Sequence, residues 1–569
     1  MRFQGLFHKK KEKELEKGKK YDILPYERVY ELKIEQRITG ILMNNNVFIY
    51  DTTLRDGSQA EGITLSKSDK LRIAERLDRL GVTYIEGGWP GSNPKDVEFF
   101  KEVKKLNLKN AKIAAFGSTR RFKNRPEEDE NLRLLLESEA PVVTIFGKSW
   151  LLHVTEVLRV TPEQNLEMIQ DSCAYLSAAG RETVFDAEHF FDGYKSAPEY
   201  ALEVLKHAAA GGATTVTLCD TNGGCLPEEI YEITKVVRET LPENIVIGIH
   251  CHNDSELATA NSLAAVRAGA RHIQGTINGF GERSGNANLC SIIANIELKM
   301  KMQCLPEGNL KTLRDCSRCV DEIANIHHDP RLPYVGDSAF AHKGGMHVNA
   351  VEKNPITFEH VSPEAVGNKR RILVSDLSGK SNLGMKAKEL GLEAAPEKLV
   401  SALTEIKRRE NLGYEYELAE ASFALLLEKE TGEYHPFFQH LGFRVSVEKR
   451  GGMDRISEAT VKLKVGDEES LVAAESASGP VNALDTALRK ALVPFYPELK
   501  GMSLHDYKVR ILSGDNGTAA KTRVLIESGA PGKQSWVTVG VSENIIDASY
   551  EALVDSVEYA LLMHRKNDK

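Results

Sequence analysis

The sequence predicts a parallel (β/α)8 TIM barrel followed by a helical segment and a C-terminal α+β module. Three observations carry this reading. Eight short apolar runs, each followed by an amphipathic stretch, fall within roughly 250 residues. Polar and charged residues collect where those runs end. Beyond residue 440 the order βββα occurs twice, an internal repeat.

The apolar runs lie at 47–50, 82–85, 111–116, 142–146, 183–185, 214–218, 245–249 and 272–277. Helical spacing fills the intervals. Over 66–80, Ser66 or Ser68 can cap, and Leu71, Ala74, Leu77 and Leu80 recur on one face. Further helices are expected over 162–179, 198–210 and 254–268. A doubly wound open sheet also alternates strands and helices, but no G-x-G-x-x-G opens a first helix here. Residues 326–430 read as helix-rich and contain the stretch FAHKGGMH at 340–347. The first βββα set is placed at 444–448, 457–465, 469–476 and 481–492, the second at 507–512, 519–527, 535–542 and 545–564. A turn-rich loop, Gly514-Asp-Asn-Gly517, sits between them. The expected organisation is a charged extension at 1–45, the barrel at 46–325, a helical linker subdomain at 326–435 and the α+β domain at 436–569.

Bulk properties narrow the function classes. The 569 residues are 41% hydrophobic and 27% charged with a net charge of −8. A pI near 6.1 and a mean hydropathy of −0.33 give no support for nucleic-acid or membrane-surface binding. No apolar run approaches the roughly 18 residues that span a bilayer. Eight scattered cysteines fit a reducing compartment, hence a cytoplasmic protein, better than a disulfide scaffold. Cys316-x-x-Cys319 stands without a second pair and reads as helix packing. In the extension, seven lysines between Lys9 and Lys20 alternate with Glu12, Glu14 and Glu16. The acidic residues and the missing apolar segment argue against a transit or signal peptide and for a solvated, partly helical arm.

Barrel chemistry belongs where strands run out into their loops. The first run ends in DTTLRDGSQ at 51–59, which brings Arg55, Asp56 and Gln59 within five residues. A surface ion pair is the plainer reading of Arg55 and Asp56. The other strand ends argue against it: DAEH at 186–189, DTN at 220–222, HCHND at 250–254 and NGFGERSGN at 278–286. His250 and His252 are two residues apart on a strand, so both project to one face while Cys251 points away. Two imidazoles and the Asp56 carboxylate form a two-His, one-carboxylate set with open coordination positions, and Asn286 can add an oxygen donor or a supporting hydrogen bond. Such a set accepts Mg²⁺, Mn²⁺, Zn²⁺, Co²⁺ or Fe²⁺. Gly279, Gly281 and Gly285 permit positive φ, either for close backbone approach to a ligand or for a tight barrel-closing loop.

Together, the 51–59 stretch, His250-x-His252 and GERSGN at 281–286 resemble the α-isopropylmalate, homocitrate and citramalate synthase family. Within it, EGGWPGSNP at 86–94 and the chain length are most similar to the long-chain citramalate synthases. The resemblance covers roughly residues 46–569. It implies Claisen-type condensation of acetyl-CoA with a 2-oxo acid, pyruvate for citramalate synthases, followed by thioester hydrolysis. It further implies Asp56, His250, His252 and Asn286 around a divalent metal ion, Arg55 facing the developing alkoxide, Gln59 and Thr221 holding substrate, and Glu188 in proton transfer near the acetyl methyl. His347 would complete a partner subunit's site in a homodimer, and the C-terminal domain would bind an end-product amino acid, isoleucine. Some relatives carry tyrosine where this chain has Asp186, which implies a different pocket wall. Three other readings are a 2-isopropylmalate synthase, a non-catalytic amino-acid sensor and a carbon–carbon lyase on the same barrel. The intact Arg55, Asp56, His250 and His252 disfavour the sensor, and the C-terminal repeat disfavours the lyase. An Fe(II) oxygenase shares the ligand types by analogy alone.

Overall fold

The first apolar run becomes strand β1 (Phe48–Asp51) in the computed structural model, which describes residues 46–374, 380–389, 395–431, 434–449, 451, 456–476, 478–512, 520–530 and 535–567. It is followed by β2 (Tyr84–Gly88), β3 (Lys112–Ser118), β4 (Val142–Lys148), β5 (Glu182–Glu188), β6 (Thr215–Asp220), β7 (Val246–Cys251) and β8 (His272–Gly275). These eight strands close into one barrel in sequence order, and β1 pairs in parallel with β8. All eight runs therefore form strands. Several extend past the apolar run at their C-terminal ends, as in β5, where the ladder continues through Asp186 and Glu188. Hydrophobicity fades there because the strand is entering the functional rim, while its backbone stays paired.

The expected first helix forms over Lys67–Leu80. Ser66 is the cap, joined to Asp69 in a reciprocal capping box, and Gly81 at φ 97° ends the helix. The helix expected over 254–268 starts later, as Ala258–Arg267. Residues 253–257 are drawn into a turn by the Asp254–Arg283 ion pair and by the Asn253 side chain, which accepts from the Ala258 N–H. Cys316 and Cys319 lie on the helix Leu313–Ile323, and all eight cysteines are unpaired thiols.

Alternate residues of the parallel strands point into the barrel and stack in layers. The lower layer is Tyr50, Tyr84, Ala114, Val142 and Val184, with His272 packed against both tyrosine rings. Two residues further along, the same inward parity delivers Glu86, Thr144, Asp186, Thr217 and Gln274, all buried. This second layer is polar yet hydrogen-bonded. Tyr50 donates to Glu86 at 2.8 Å and lies 2.7 Å from the Thr144 hydroxyl, and the Gln274 amide donates to Asp186 at 2.8 Å. It forms the floor of the site above.

Packing divides the described chain into two compact units. The first runs to Ala339 and includes Pro363–Asn368; the second comprises Phe340–Ser362 and the chain from Lys369 onward. The second unit holds a short parallel pair, β9 (Ala341–His342) with β10 (Arg371–Ile372), and the helices Gly345–Lys353, Lys380–Glu389, Pro396–Leu412 and Glu420–Thr431. The βββα repeat follows as β11 (Gln439–Glu448), β12 (Ile456–Val465), β13 (Glu468–Ser476) and the helix Pro480–Leu492, then β14 (Ser503–Ile511), β15 (Thr522–Gly529), β16 (Trp536–Ser542) and the helix Ile545–Asn567. Each set makes its own antiparallel sheet. Each opening strand carries a register shift near its start, between His440 and Gly442 in β11 and between Leu504 and Asp506 in β14, so the repeat extends to its irregularities. The boundary expected at 435 marks a change of element type, but the core runs across it: Phe423, Leu426 and Leu427 share a cluster with Leu525, Val537, Val539 and Val541. The extension at 1–45 and the loop Gly514–Gly517 lie outside the described residues. Among the described residues no helix is long and apolar enough to cross a membrane.

Candidate active site

At the C-terminal rim of the barrel a cavity of about 230 Å³ opens above the polar layer. Every candidate read from the first unit's sequence lines it except Asn286. Asp56 leaves β1 in the turn that follows, while His250 and His252 come from the end of β7 and lie on one side, as period-two alternation requires. Cys251 between them is buried and does not line the cavity. Ligand atoms of Asp56, His250 and His252 all lie within 4.8 Å of one another. The Nε2 atom of His250 is 3.4 Å from Asp56 Oδ2 and 3.4 Å from His252 Nε2.

The donor set fits a divalent cation on electrostatic grounds. Burial lowers the pKa of both imidazoles, to about 4 for His252, so they stay neutral with lone pairs available. Burial pulls the Asp56 carboxyl upward, but Arg55 and the two histidines outweigh it and hold it below the ordinary carboxylate range. The Oδ1 atom of Asn286 is buried and has no hydrogen-bond partner, while its Nδ2 donates to the Phe280 carbonyl. Two neutral imidazoles and a carboxylate form a donor set suited to a divalent cation, and the buried, unpartnered carbonyl oxygen of Asn286 is available as a further donor. The glycine loop makes this possible. A Cβ at Gly281, φ 153°, would fall 2.1 Å from the Asn286 amide nitrogen, and one at Gly285, φ 91°, would fall 2.0 Å from the Gly279 carbonyl oxygen. The glycines thus serve close approach around Asn286.

Arg55 is not a surface residue. Its Nε donates to Glu86 Oε2 at 2.6 Å, an outer nitrogen lies 3.2 Å from Asp56 Oδ1, and the guanidinium carbon sits 3.7 Å over the Phe116 ring. Burial works against its charge, but the Asp56 and Glu86 carboxylates raise its pKa above the ordinary value. The side chain of Glu188, at the end of β5, pairs with the Lys148 ammonium from β4. The Thr221 hydroxyl accepts from the His189 N–H at 2.9 Å, and Gln59 is exposed at the rim. Phe116 and Phe146 stack at 5.5 Å with Trp89 edge-on to both, giving the cavity an aromatic wall. Asp186 lies opposite in the lining; burial and the nearby Glu86 push its pKa up to about 7.

The HMGL-like family matches residues 46–320, the homocitrate synthase post-HMGL domain-like family residues 334–413, and the LeuA allosteric (dimerisation) domain residues 417–561. The chain is 56% identical to the (R)-citramalate synthase of Aquifex aeolicus, covering 91% of this chain and 98% of that one. Identity to the (R)-citramalate synthase of Geobacter sulfurreducens is also 56%, over 90% and 97% of the two chains. The 2-isopropylmalate synthase of Methanocaldococcus jannaschii is 30% identical, over 94% and 98%. The chain belongs to the (R)-citramalate synthase family.

Of the residues named from this family's motifs, Arg55, Asp56, Gln59, Glu188, Thr221, His250, His252 and Asn286 come together at one end of the barrel. His347 belongs to the second unit, where it is exposed on the helix Gly345–Lys353 with its ring stacked on Phe358 at 4.0 Å. Sequence reasoning missed Glu86, Lys148, Phe116, Phe146 and Gln274. A signal existed for two of them. Glu86 and Gln274 are polar residues at the inward parity of otherwise apolar strands, a placement with no structural use unless something above needs it.

Proposed function

We propose that this chain condenses acetyl-CoA with pyruvate and hydrolyses the resulting thioester, releasing (R)-citramalate and CoA as the first step of a pyruvate route to isoleucine. The observation that carries the reading is the convergence of Asp56, His250 and His252 beside the half-buried Arg55, in a cavity at the functional face of the barrel. A divalent cation (magnesium, manganese or zinc) held by those three side chains, with Asn286 as a further oxygen donor, supplies Lewis-acid polarisation of a 2-oxo acid's ketone. The remaining work falls to the chain's own groups. Glu188 takes part in moving the proton that leaves the acetyl methyl. The methyl carbon bonds to C2 of the oxo acid, and the ketone oxygen becomes an alkoxide. The guanidinium of Arg55 is aimed and fixed before the reaction, so it stabilises that charge without reorganising. The alkoxide then takes up a proton, water adds to the thioester carbonyl, and CoA leaves as the thiol. Gln59 and Thr221 hold the substrate, and His347 is a second proton-transfer candidate. The wall of Trp89, Phe116 and Phe146 favours a compact acyl acceptor.

The second unit is assigned homodimerisation and feedback by isoleucine. Support comes from Val447, Leu471 and Ile511, which are 53%, 67% and 63% exposed on its strands. Unpaired cysteines agree with work in the cytoplasm.

The metal reading is tested with His252→Ala. The variant should fold, lose bound divalent metal and lose condensation activity. Exhaustive chelation should inactivate the parent, and full activity after chelation would refute the site.

A further inference from the structure

Gln274 is fully buried at the inward parity of β8 and stands opposite His250 in the strand register. Its amide nitrogen has two acceptors within reach, Asp186 Oδ1 at 2.8 Å and Thr217 Oγ1 at 3.3 Å. With Asp186 ionised, reversing the amide would set its carbonyl oxygen against a carboxylate, and that repulsion fixes its direction. The Gln274 oxygen then faces His250 Nδ1 at 2.9 Å. An amide oxygen only accepts, so Nδ1 carries the ring proton. The lone pair is left on Nε2, the atom that faces Asp56 and His252.

A buried carboxyl and a buried amide at the centre of a barrel are costly when an apolar pair could fill the space. Here the hydrogen bonds lead from Asp186 on β5 through Gln274 on β8 to His250 on β7, with Thr217 on β6 as a side contact. We propose that Asp186 and Gln274 form a hydrogen-bond relay that fixes the tautomer and ring orientation of His250 and so sets the divalent-cation affinity of the Asp56–His250–His252 site. Both are positioning residues, acting through His250. The inference rests on the metal reading of that site and specifies which groups tune it. Histidine ligands commonly depend on a partner at the other ring nitrogen, and its loss typically weakens metal binding about 10–100-fold.

The test uses metal-free full-length enzyme, Zn²⁺ affinity measured by competition with a chelating dye, and the absorption spectrum of bound Co²⁺. Gln274→Leu should bind Zn²⁺ roughly 10–100-fold more weakly and shift the Co²⁺ spectrum, with circular dichroism unchanged. Gln274→Glu places two carboxyl groups in contact and should also weaken binding. Adding Asp186→Asn to Gln274→Glu lets the new amide donate to the new carboxylate, whose other oxygen accepts from His250. This double variant should bind more tightly than Gln274→Glu alone, a rescue that mere packing would not produce. Being close in shape to the parent, it keeps the test open should Gln274→Leu fail to fold. Parental affinity in Gln274→Leu, or no rescue in the double variant, overturns the relay. Parental Co²⁺ binding by His252→Ala would instead overturn the ligand assignment itself, which separates the two failures.

Discussion

Arg55 is held by three kinds of contact: a charge-assisted hydrogen bond to Glu86, an ion pair with Asp56 and the face of Phe116. Each uses the planar fork of a guanidinium, and lysine offers only a point charge. Arg55→Lys should therefore lower kcat by roughly 10²–10³-fold, the usual cost of losing one donor to a developing oxyanion, with a smaller effect on substrate binding. Steady-state kinetics within twofold of the parent would remove Arg55 from the mechanism. Asp51, the last residue of β1, gives a pH prediction. Burial pushes its pKa up to about 7, although the Thr53 hydroxyl and N–H both donate to it. Its folded pKa lies above the unfolded value, so its stabilising contribution is complete below about pH 4 and is lost as pH rises through 7. Asp51→Asn has no such titration. Melting temperatures followed from about pH 5 to pH 9 should fall more steeply for the parent than for the variant, and parallel curves would contradict the assignment.

At the scale of elements, the barrel was legible because parallel strands buried on both faces are continuous apolar runs, and the site because its ligands sit two residues apart on one strand end or within one turn. His250, His252, Arg55 and Asp56 announce themselves locally. Glu86, Gln274, Lys148 and the aromatic wall do not, because each comes from a different strand and meets the others only through barrel register. The packing of the helix Glu420–Thr431 against the sheet β14–β16 was hidden for the same reason: it is a contact between elements without a local pattern. The second unit carries its own prediction. The proposed dimer contact is its exposed Leu471 and Ile511, and the proposed effector is isoleucine. The parent should have a dimer's mass by light scattering and be inhibited by isoleucine. Leu471→Lys combined with Ile511→Lys should shift the mass toward a monomer and blunt inhibition. An unchanged dimer, or inhibition of the parent by leucine in place of isoleucine, would contradict these roles.

For the whole molecule, the barrel supplies a preorganised rim, and the second unit, much of which matches the LeuA allosteric (dimerisation) domain, is the proposed means of control. Its acyl acceptor is the central claim. Pyruvate and 2-oxoisovalerate differ by a methyl against an isopropyl group beside the ketone, and added apolar contact would favour the larger unless a wall excludes it. Each methylene-sized step is worth about 1–3 kcal/mol in a pocket shaped for it, so exclusion by Trp89, Phe116 and Phe146 has to reverse that preference. The most direct measurement is the ratio of kcat/KM for pyruvate over 2-oxoisovalerate at saturating acetyl-CoA, read by free thiol release. A ratio well above roughly ten is predicted; a ratio below one would contradict the account and make the chain a 2-isopropylmalate synthase.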